Sequence, residues 1–569
     1  MAGPDEGRTL SVVNSLQSGR GMQVIRVGLS VVGACALLAI YAHTQFRGLA
    51  DEDAMHYAQV GRNLAEGEGF ATRAPTPAVI GYLHEQGRDV AADKLYPEIE
   101  IAPVFPLLQA MGFRAFGLSQ SRAKIAGRYA PEIGWIVPLN MLACLGTCAL
   151  LYGMGRRLFS RRVALLAAGL YLAGHAALAD TISGHPYSVA TFLVTGAFFG
   201  ALRAVVRWRE RPDLAHWIRP MACAALCCGL AGLTLYALLI LAIPIFVLLW
   251  CGIDQRRFVP LASFVAIVAI VILPWAIRNQ VTSGSPYGLA PYVAIEDSVL
   301  FPGDTFDRSL NPAVDRVRGR RAMAMKFWEN LTHMVSNEFW KLGGGVAMAL
   351  FVVSFLSRFE REEVNHVRWA VALALSVLIG LASLMPSGGR LLHVLVPMIV
   401  LFGVAYFFQL MKDYELDIPI VRTMIIATLI GLSALPVALT ILTRRPGIPY
   451  PPYYAPLVRH VANMLEPQEW LCTDIPQAAA WYGHRTSVKL PLRLDDFYRI
   501  HDRVHRFHGL YLTSVTADRA YISDLVLGAE KDWYPILNRR VPADFPLAQG
   551  VSLPPGTTEQ LFLTDRVRW

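Results

Sequence analysis

Residues 132–180 have the sequence EIGWIVPLNMLACLGTCALLYGMGRRLFSRRVALLAAGLYLAGHAALAD. Two apolar runs, 132–156 and 162–180, meet at a short connection that carries Arg156, Arg157, Arg161 and Arg162. About 20 apolar residues form a helix long enough to cross the hydrocarbon core of a bilayer. Short connections rich in Lys and Arg stay on the cytoplasmic side. These residues therefore predict two transmembrane helices joined inside the cell.

The same pattern recurs along the whole chain of 569 residues, of which 54% are hydrophobic and 17% charged. Soluble domains carry about 25% charged residues. Eleven apolar segments have roughly the length of a membrane span: 23–44, 132–156, 162–180, 186–207, 217–234, 236–251, 258–277, 343–358, 367–386, 391–410 and 420–443. The sequence thus predicts a polytopic α-helical membrane protein with about eleven transmembrane helices.

The net charge of +9 reflects topology. Basic residues lie in every second connection between spans: Arg207, Arg209 and Arg211; Arg256 and Arg257; Arg358, Arg361 and Arg368; and Lys412. This distribution predicts a cytoplasmic N-terminus and an extracytoplasmic C-terminus. No basic soluble segment is interleaved with aromatic residues, so nucleic acid is excluded as a partner.

The first apolar segment has two interpretations. It is either a cleaved signal peptide or a retained span. The apolar run from Val27 to Ala42 is long for a signal peptide, which favours retention.

Three longer segments face the outer compartment under this topology. Residues 1–443 form the predicted membrane domain, with a first external loop at 45–131 and a second external loop at 278–342 that carries an amphipathic interfacial helix. Residues 444–569 are mixed in composition and long enough for a small α/β domain. Seven of the eight cysteines lie in apolar spans and Cys472 stands alone in this domain, so no disulfide framework is expected.

An acidic cluster, Asp51, Glu52 and Asp53, follows the first span at the start of a short predicted helix that Gly67 ends. One interpretation is a simple N-cap at the membrane boundary. The other is chemical: a carboxylate takes the proton of an acceptor hydroxyl as its oxygen attacks a sugar carbon. The residues alone leave both interpretations open.

Five motifs occur in an informative order: DAMHYAQVGRNLAEGEG at 53–69, APVFPLL at 102–108, LPWAIRN at 273–279, GRLLHVLVP at 389–397, and TDIP at 473–476 followed by WYGHRT at 481–486. Together they resemble the GT-C glycosyltransferases, a superfamily that includes the protein O-mannosyltransferases and the lipid A aminoarabinose transferases. The resemblance covers nearly the whole chain. It implies that the protein lies in a bacterial inner (plasma) membrane.

The resemblance implies an activity. The chain is expected to transfer a sugar, with inversion, from a polyprenyl-phosphate donor to a lipid, glycan or protein acceptor on the extracytoplasmic face. The essential carboxylate of the first external loop corresponds to Asp53, with Glu52 and then Asp51 as alternatives. Arg390, Arg278 and, less well matched to the family pattern, Lys94 are the expected contacts of the donor phosphate.

The resemblance also implies a second carboxylate in the next external turn. Asp180 lies there, with His185 beside it. Two carboxylates and water suit Mg²⁺ or Mn²⁺, so a divalent cation shared by Asp53 and Asp180 is a further hypothesis.

Two other classes of function compete with the transferase. A transporter or flippase of lipid-linked sugars would need ionisable residues at mid-membrane, and the spans contain few apart from His175. A non-catalytic membrane scaffold that presents its exported domain would not need the carboxylate cluster.

Overall fold

A computed structural model describes residues 19–91, 94–119, 124–125, 128–211, 213–253, 257–313, 316–386, 388–415, 418–443, 454–517, 528–551, 553 and 560–568. The first ten residues of the predicted C-terminal domain, 444–453, lie outside these ranges, as does the N-terminus before residue 19.

The chain is mainly helical. Its α-helices are α1 Gly19–Gln45, α2 Glu52–Glu66, α3 Pro77–Glu85, α4 Val104–Ala115, α5 Val137–Leu158, α6 Arg161–Leu172, α7 His175–Ile182, α8 Tyr187–Glu210, α9 Leu214–Gly232, α10 Ala242–Gly252, α11 Phe258–Ser283, α12 Arg316–His333, α13 Phe339–Lys341, α14 Val346–Val353, α15 Glu362–Ala382, α16 Val396–Asp413, α17 Pro419–Leu442, α18 Ala455–Asn463, α19 Pro476–Gly483, α20 Leu494–Arg503, α21 Ser514–Ala517 and α22 Tyr534–Leu537. A π turn, Glu132–Ile136, precedes α5, and 3₁₀ turns precede α10 and α16 at Tyr236–Leu241 and Gly388–Leu395.

Seven helices of the described chain are long and apolar enough to cross a membrane, or up to nine if two bent pairs each count as one span. The sequence predicted eleven. All eleven predicted segments contain helix, but two are broken: α6 and α7 meet at 53°, and the helical run that ends at Gly344 meets the next at 106°. Tyr236–Gly252 is helical yet short. The two bends account for the difference between seven and nine. The predicted segments 217–234, which corresponds to α9, and 236–251 are not among the counted spans and account for the difference between nine and eleven.

Burial separates central from peripheral helices. In α8, 78% of the most apolar window is buried, whereas the corresponding share in α17 is 11%. Small residues allow the close packing at the centre: a Cβ added to Gly200 of α8 would lie 2.8 Å from the backbone nitrogen of Ala224 in α9. Such small-residue contacts are typical of helix pairs in membranes, where backbones approach closely.

The described residues of the predicted first external loop, 45–131, form a compact unit. Helix α2 packs against α4. Helix α4 contains most of the apolar, Pro-containing motif at 102–108. Strands β1 (Ala71–Thr72) and β2 (Tyr96–Pro97) pair antiparallel, as do β3 (Lys124–Ile125) and β4 (Arg128–Tyr129). Gly67 ends α2 with φ of 87°, a left-handed conformation that glycine adopts without strain.

The C-terminal region is a small α/β domain, as the sequence predicts. Its sheet consists of β5 (Trp470–Thr473), β6 (Ser487–Lys489), β7 (Phe507–Leu512), β8 (Gln549–Gly550) and β9 (Leu561–Thr564), in the order β6-β5-β7-β9-β8. The β5 strand pairs parallel with β6 and β7, and the β9 strand runs antiparallel. Helix α19 of this domain packs on α2 of the first external loop.

Candidate active site at the start of α2

Asp51 caps the helix that carries the acidic cluster. Its backbone is extended, and its side-chain Oδ1 accepts a hydrogen bond from the amide of Asp53 at 3.1 Å. Such a cap satisfies an amide at the helix start that has no partner within the helix. The N-cap interpretation is therefore correct for Asp51. Because Asp51 is the cap, Asp53 remains available for chemistry, and its side chain is exposed.

His185 joins this helix start from the turn between α7 and α8. Its Nε2 lies 3.2 Å from Oδ2 of Asp51, and the His185 side chain is only 6% exposed. Gly184 makes the approach feasible, because a Cβ at this residue would lie 2.4 Å from the Leu49 side chain. Ligand atoms of Asp51, Asp53 and His185 all lie within 4.8 Å of one another. We call these three residues the acidic triad.

Arg390 lies at the edge of the acidic triad, in the 3₁₀ turn before α16. Its Nη1 is 3.9 Å from Oδ2 of Asp51, and its guanidinium is 5.7 Å from the ring centre of Tyr187. Burial alone would raise the pKa of Asp51, but the hydrogen bond and charge of His185, the Asp53 amide and Arg390 outweigh it, and the pKa is lowered. Asp51 is thus held as a carboxylate.

Asp180 faces a different partner. Its buried Oδ2 lies 3.0 Å from Nδ1 of His393, which shares a turn with Arg390. Among the residues described, Asp180 joins no cluster of three or more metal-ligand side chains. The pairing of Asp53 with Asp180 stays a prediction, and the geometry favours His185 as the residue that accompanies Asp53.

The two other predicted phosphate contacts lie elsewhere. Arg278 donates to the carbonyl oxygens of Glu98 at 2.6 Å and Phe70 at 3.0 Å, and it stacks near the rings of Phe70 and Trp275. It therefore ties the end of α11 to the first external loop. Lys94 is exposed in the loop before β2 and forms no ion pair with any residue in the described ranges.

Lys489 is a site residue that sequence reasoning did not identify. It lies in β6 of the C-terminal domain, and its side chain is 9% exposed. Its Nζ is 3.8 Å from Glu52 Oε2, 3.5 Å from Asp304 Oδ2 and 3.8 Å from Asp307 Oδ2. One feature of the sequence could have identified it: Lys489 lies in a strand of otherwise buried residues. A buried lysine almost always has an ionic partner.

The carboxyl groups around Lys489 have perturbed acidity. Burial, followed by the charge of Asp307, raises the pKa of Glu296 to about 8. Burial, followed by Glu98 and Asp307, raises the pKa of Glu100 well above its usual value. Burial alone would lower the pKa of Lys489, but Glu52 and the two aspartates raise it. Lys489 is therefore a permanent cation in an acidic pocket, a property typical of functional sites.

A buried arginine connects α2 to the C-terminal domain. Arg62 is fully buried and donates to the carbonyl oxygens of Trp481 at 2.7 Å and Ala480 at 2.6 Å. Its guanidinium also lies 4.7 Å from the ring centre of Trp481, whose Nε1 donates to Oε1 of Glu132 at 2.8 Å. The helix that carries the acidic cluster is thus fastened to the C-terminal domain.

Arg62→Met is expected to lower the free energy of unfolding by about 3 kcal/mol, because it leaves two buried carbonyl oxygens without donors. Thermal unfolding followed by tryptophan fluorescence would measure the change. Arg114→Met, at an exposed arginine of α4, is the matched control and should change stability by less than about 0.5 kcal/mol. Equal stability of the two variants would contradict the role assigned to Arg62.

No protein-family model matches the chain, and no curated protein matches it. Its fold nevertheless matches solved structures. ArnT from Cupriavidus metallidurans, bound to undecaprenyl phosphate, aligns with a TM-score of 0.56 and 12% identity over 95% of this chain and 98% of that one. The oligosaccharyltransferase of Archaeoglobus fulgidus, in complex with Zn and sulfate, aligns with a TM-score of 0.56 and 12% identity over 87% of this chain and 69% of that one.

The archaeal oligosaccharyltransferase AglB from Archaeoglobus fulgidus, with an inhibitory peptide and a dolichol-phosphate, aligns with a TM-score of 0.56 and 12% identity over 89% of this chain and 71% of that one. These likenesses define the class of fold. The chain is a multi-pass α-helical membrane protein with the fold of ArnT and AglB, and the GT-C-like fold predicted from its motifs is confirmed.

Proposed function

We propose that this protein is a glycosyltransferase that moves a sugar, with inversion, from a polyprenyl-phosphate donor to a lipid, glycan or protein acceptor. The reaction takes place at the extracytoplasmic face of a bacterial inner membrane. The observation that carries the proposal is the acidic triad at the start of α2, with Arg390 at its edge. The shared fold with ArnT and AglB, whose structures hold undecaprenyl phosphate and a dolichol-phosphate, supports the donor class.

Asp53 is the proposed base. Its exposed carboxylate can accept the proton of the acceptor hydroxyl while the oxygen attacks the anomeric carbon. Attack from the side opposite the departing phosphate inverts the configuration at that carbon. Asp51 is engaged by His185 and Arg390, so it orients the helix start and is less suited to take a proton.

Arg390 is the proposed contact of the donor phosphate. A guanidinium binds phosphate oxygens through two parallel hydrogen bonds, and the Arg390 side chain is 39% exposed. The negative charge that develops on the departing phosphate is stabilised by such fixed cations. Arg278, which is engaged with two backbone carbonyls, is assigned the support of the loop that surrounds the site.

The acidic triad fits a divalent cation. Two carboxylates and one imidazole suit Mn²⁺ or Zn²⁺, and the carboxylates suit Mg²⁺. Asp51, Asp53 and His185 would hold the ion, and a carboxylate that gives one oxygen to a ligand retains the other as a hydrogen-bond acceptor. A bound cation would neutralise charge on the phosphate of the donor.

The test is transfer from a panel of radiolabelled polyprenyl-phosphate sugars by purified protein, with envelope lipids and proteins as acceptors. We expect one donor to be consumed by the wild type and by Asp89→Asn, a control at an exposed loop aspartate. The double variant Asp51→Asn/Asp53→Asn should be inactive. A chelator should remove activity, and Mg²⁺, Mn²⁺ or Zn²⁺ should restore it. Failure of the wild type to consume any donor would overturn the proposal.

A further inference from the structure

A groove lies between spans, away from the acidic triad. It is an open groove with a volume of about 400 Å³, lined by α6, by Phe408 of α16 and by the first turns of α17. Most of its lining is apolar, but Arg162 and Arg422 also line it. Arg162 is the second residue of α6, and Arg422 is the fourth residue of α17. Each helix therefore brings an arginine to the groove in its first turn or close to it.

The lining follows helical spacing. On α6, Leu166 and Leu170 follow Arg162 at intervals of four residues, and α17 repeats this arrangement behind Arg422 at positions 426 and 430. Residues four apart lie on one face of a helix. Eight residues of helix rise about 12 Å, so each wall is basic at its start and apolar for about two turns beyond.

By the distribution of Lys and Arg among the connections, both helices begin at the predicted cytoplasmic face. Arg162 belongs to the short connection with Arg156, Arg157 and Arg161, and α17 begins after the connection that carries Lys412. Isolated arginines at span ends commonly extend to the interface as anchors. Here, two arginines from spans far apart in sequence converge on one groove with apolar walls, an arrangement that simple anchoring does not require.

We propose that this groove binds one anionic phospholipid of the cytoplasmic leaflet, with its phosphate between Arg162 and Arg422 and an acyl chain along the apolar walls. The occupant must be negative at one end and apolar over the rest. Basic pockets between spans on the cytoplasmic side bind anionic lipid head groups for this reason. The proposal does not depend on the transfer reaction proposed above.

Native mass spectrometry of delipidated protein titrated with phosphatidylglycerol or phosphatidylcholine tests the site. The wild type should bind phosphatidylglycerol about tenfold more tightly than phosphatidylcholine. Arg162→Gln/Arg422→Gln should lower that affinity roughly 30-fold, since each arginine contributes about 1 kcal/mol near a lipid head group. Arg161→Gln/Arg358→Gln, which removes the same charge outside the groove, should bind as the wild type does.

A second variant blocks the groove without changing charge. A Cβ added to Gly169, which lines the groove, meets no atom within 4 Å, so Gly169→Leu should fill the space and abolish binding while the helix remains folded. Gly380→Leu, at another glycine with open space around it, is the control. Equal binding of both lipids, or wild-type binding by both groove variants, would overturn the proposal.

Discussion

Asp53→Asn is expected to reduce the rate of sugar transfer by about 10³-fold, in the range that loss of a general base produces. The reason lies in the different surroundings of the three acidic residues. Asp51 contacts His185 and Arg390, and Glu52 faces Lys489. Asp53 is exposed and forms no ion pair within the described ranges, so its carboxylate is the one able to meet an incoming hydroxyl.

Single-turnover rates with a saturating donor would measure this effect. Glu52→Gln keeps Asp53 and should retain more activity than Asp53→Asn. Asp51→Asn should chiefly raise the concentration of divalent cation needed for half-maximal rate, because it weakens a candidate ligand and the His185 contact. If Asp53→Asn transferred sugar within a few-fold of the wild type while Glu52→Gln did not, Glu52 would be the base.

The features that the sequence predicted well are those imposed by the solvent. The bilayer requires long apolar helices and separates arginine-rich connections from the others, so the membrane class follows from composition and spacing. Helix α2, which follows the first apolar helix, was also predictable, because Asp51 and Gly67 are typical residues for the two ends of a helix. The breaks within helices could not be predicted, because an apolar run has the same composition whether it is straight or bent by 53°.

The contacts within the site depend on which residues meet in three dimensions, and local sequence patterns do not contain this information. The sequence placed Asp180 and His185 in one turn, but which of them meets α2 depends on the rotation of α7 and on the close approach at Gly184. The structure directs Asp180 to His393 and His185 to Asp51. Similarly, Arg278 satisfies the family motif, yet its hydrogen bonds hold backbone carbonyls.

The contribution of the C-terminal domain was the least predictable feature. Lys489 is separated from Glu52 by more than 400 residues. The docking of α19 on α2, fixed by Arg62, helps to bring β6 to the acidic pocket. The predicted second external loop, 278–342, completes the pocket, because the amide of Leu492 donates to the carbonyl of Arg308 at 2.7 Å, near Asp304 and Asp307. Glu52, the segment with Asp304 and Asp307, and strand β6, which are distant in sequence, thus meet at the ammonium group of Lys489.

Lys489→Met should lower kcat about 100-fold while KM stays near the wild-type value. Removal of the cation takes one positive charge out of the partly buried pocket that Glu52, Asp304 and Asp307 share, and the loss of one partner of a buried ion pair is strongly destabilising. The start of α2 would shift, and a displacement of about 1 Å at a reacting group can cost roughly 10²-fold in rate. Lys489 acts through Glu52 and α2, so it is a positioning residue.

Lys489→Arg separates this role from general support of the fold. The arginine keeps the positive charge and should retain activity within about fivefold, whereas a role in packing alone would be served equally well by methionine. A zero-length carbodiimide cross-link between Lys489 and the segment that holds Asp304 and Asp307 would check the geometry independently of activity, since the nearest atoms are 3.5 Å apart. Wild-type kcat in Lys489→Met, or an inactive but folded Lys489→Arg, would show that the charge of Lys489 does not position α2.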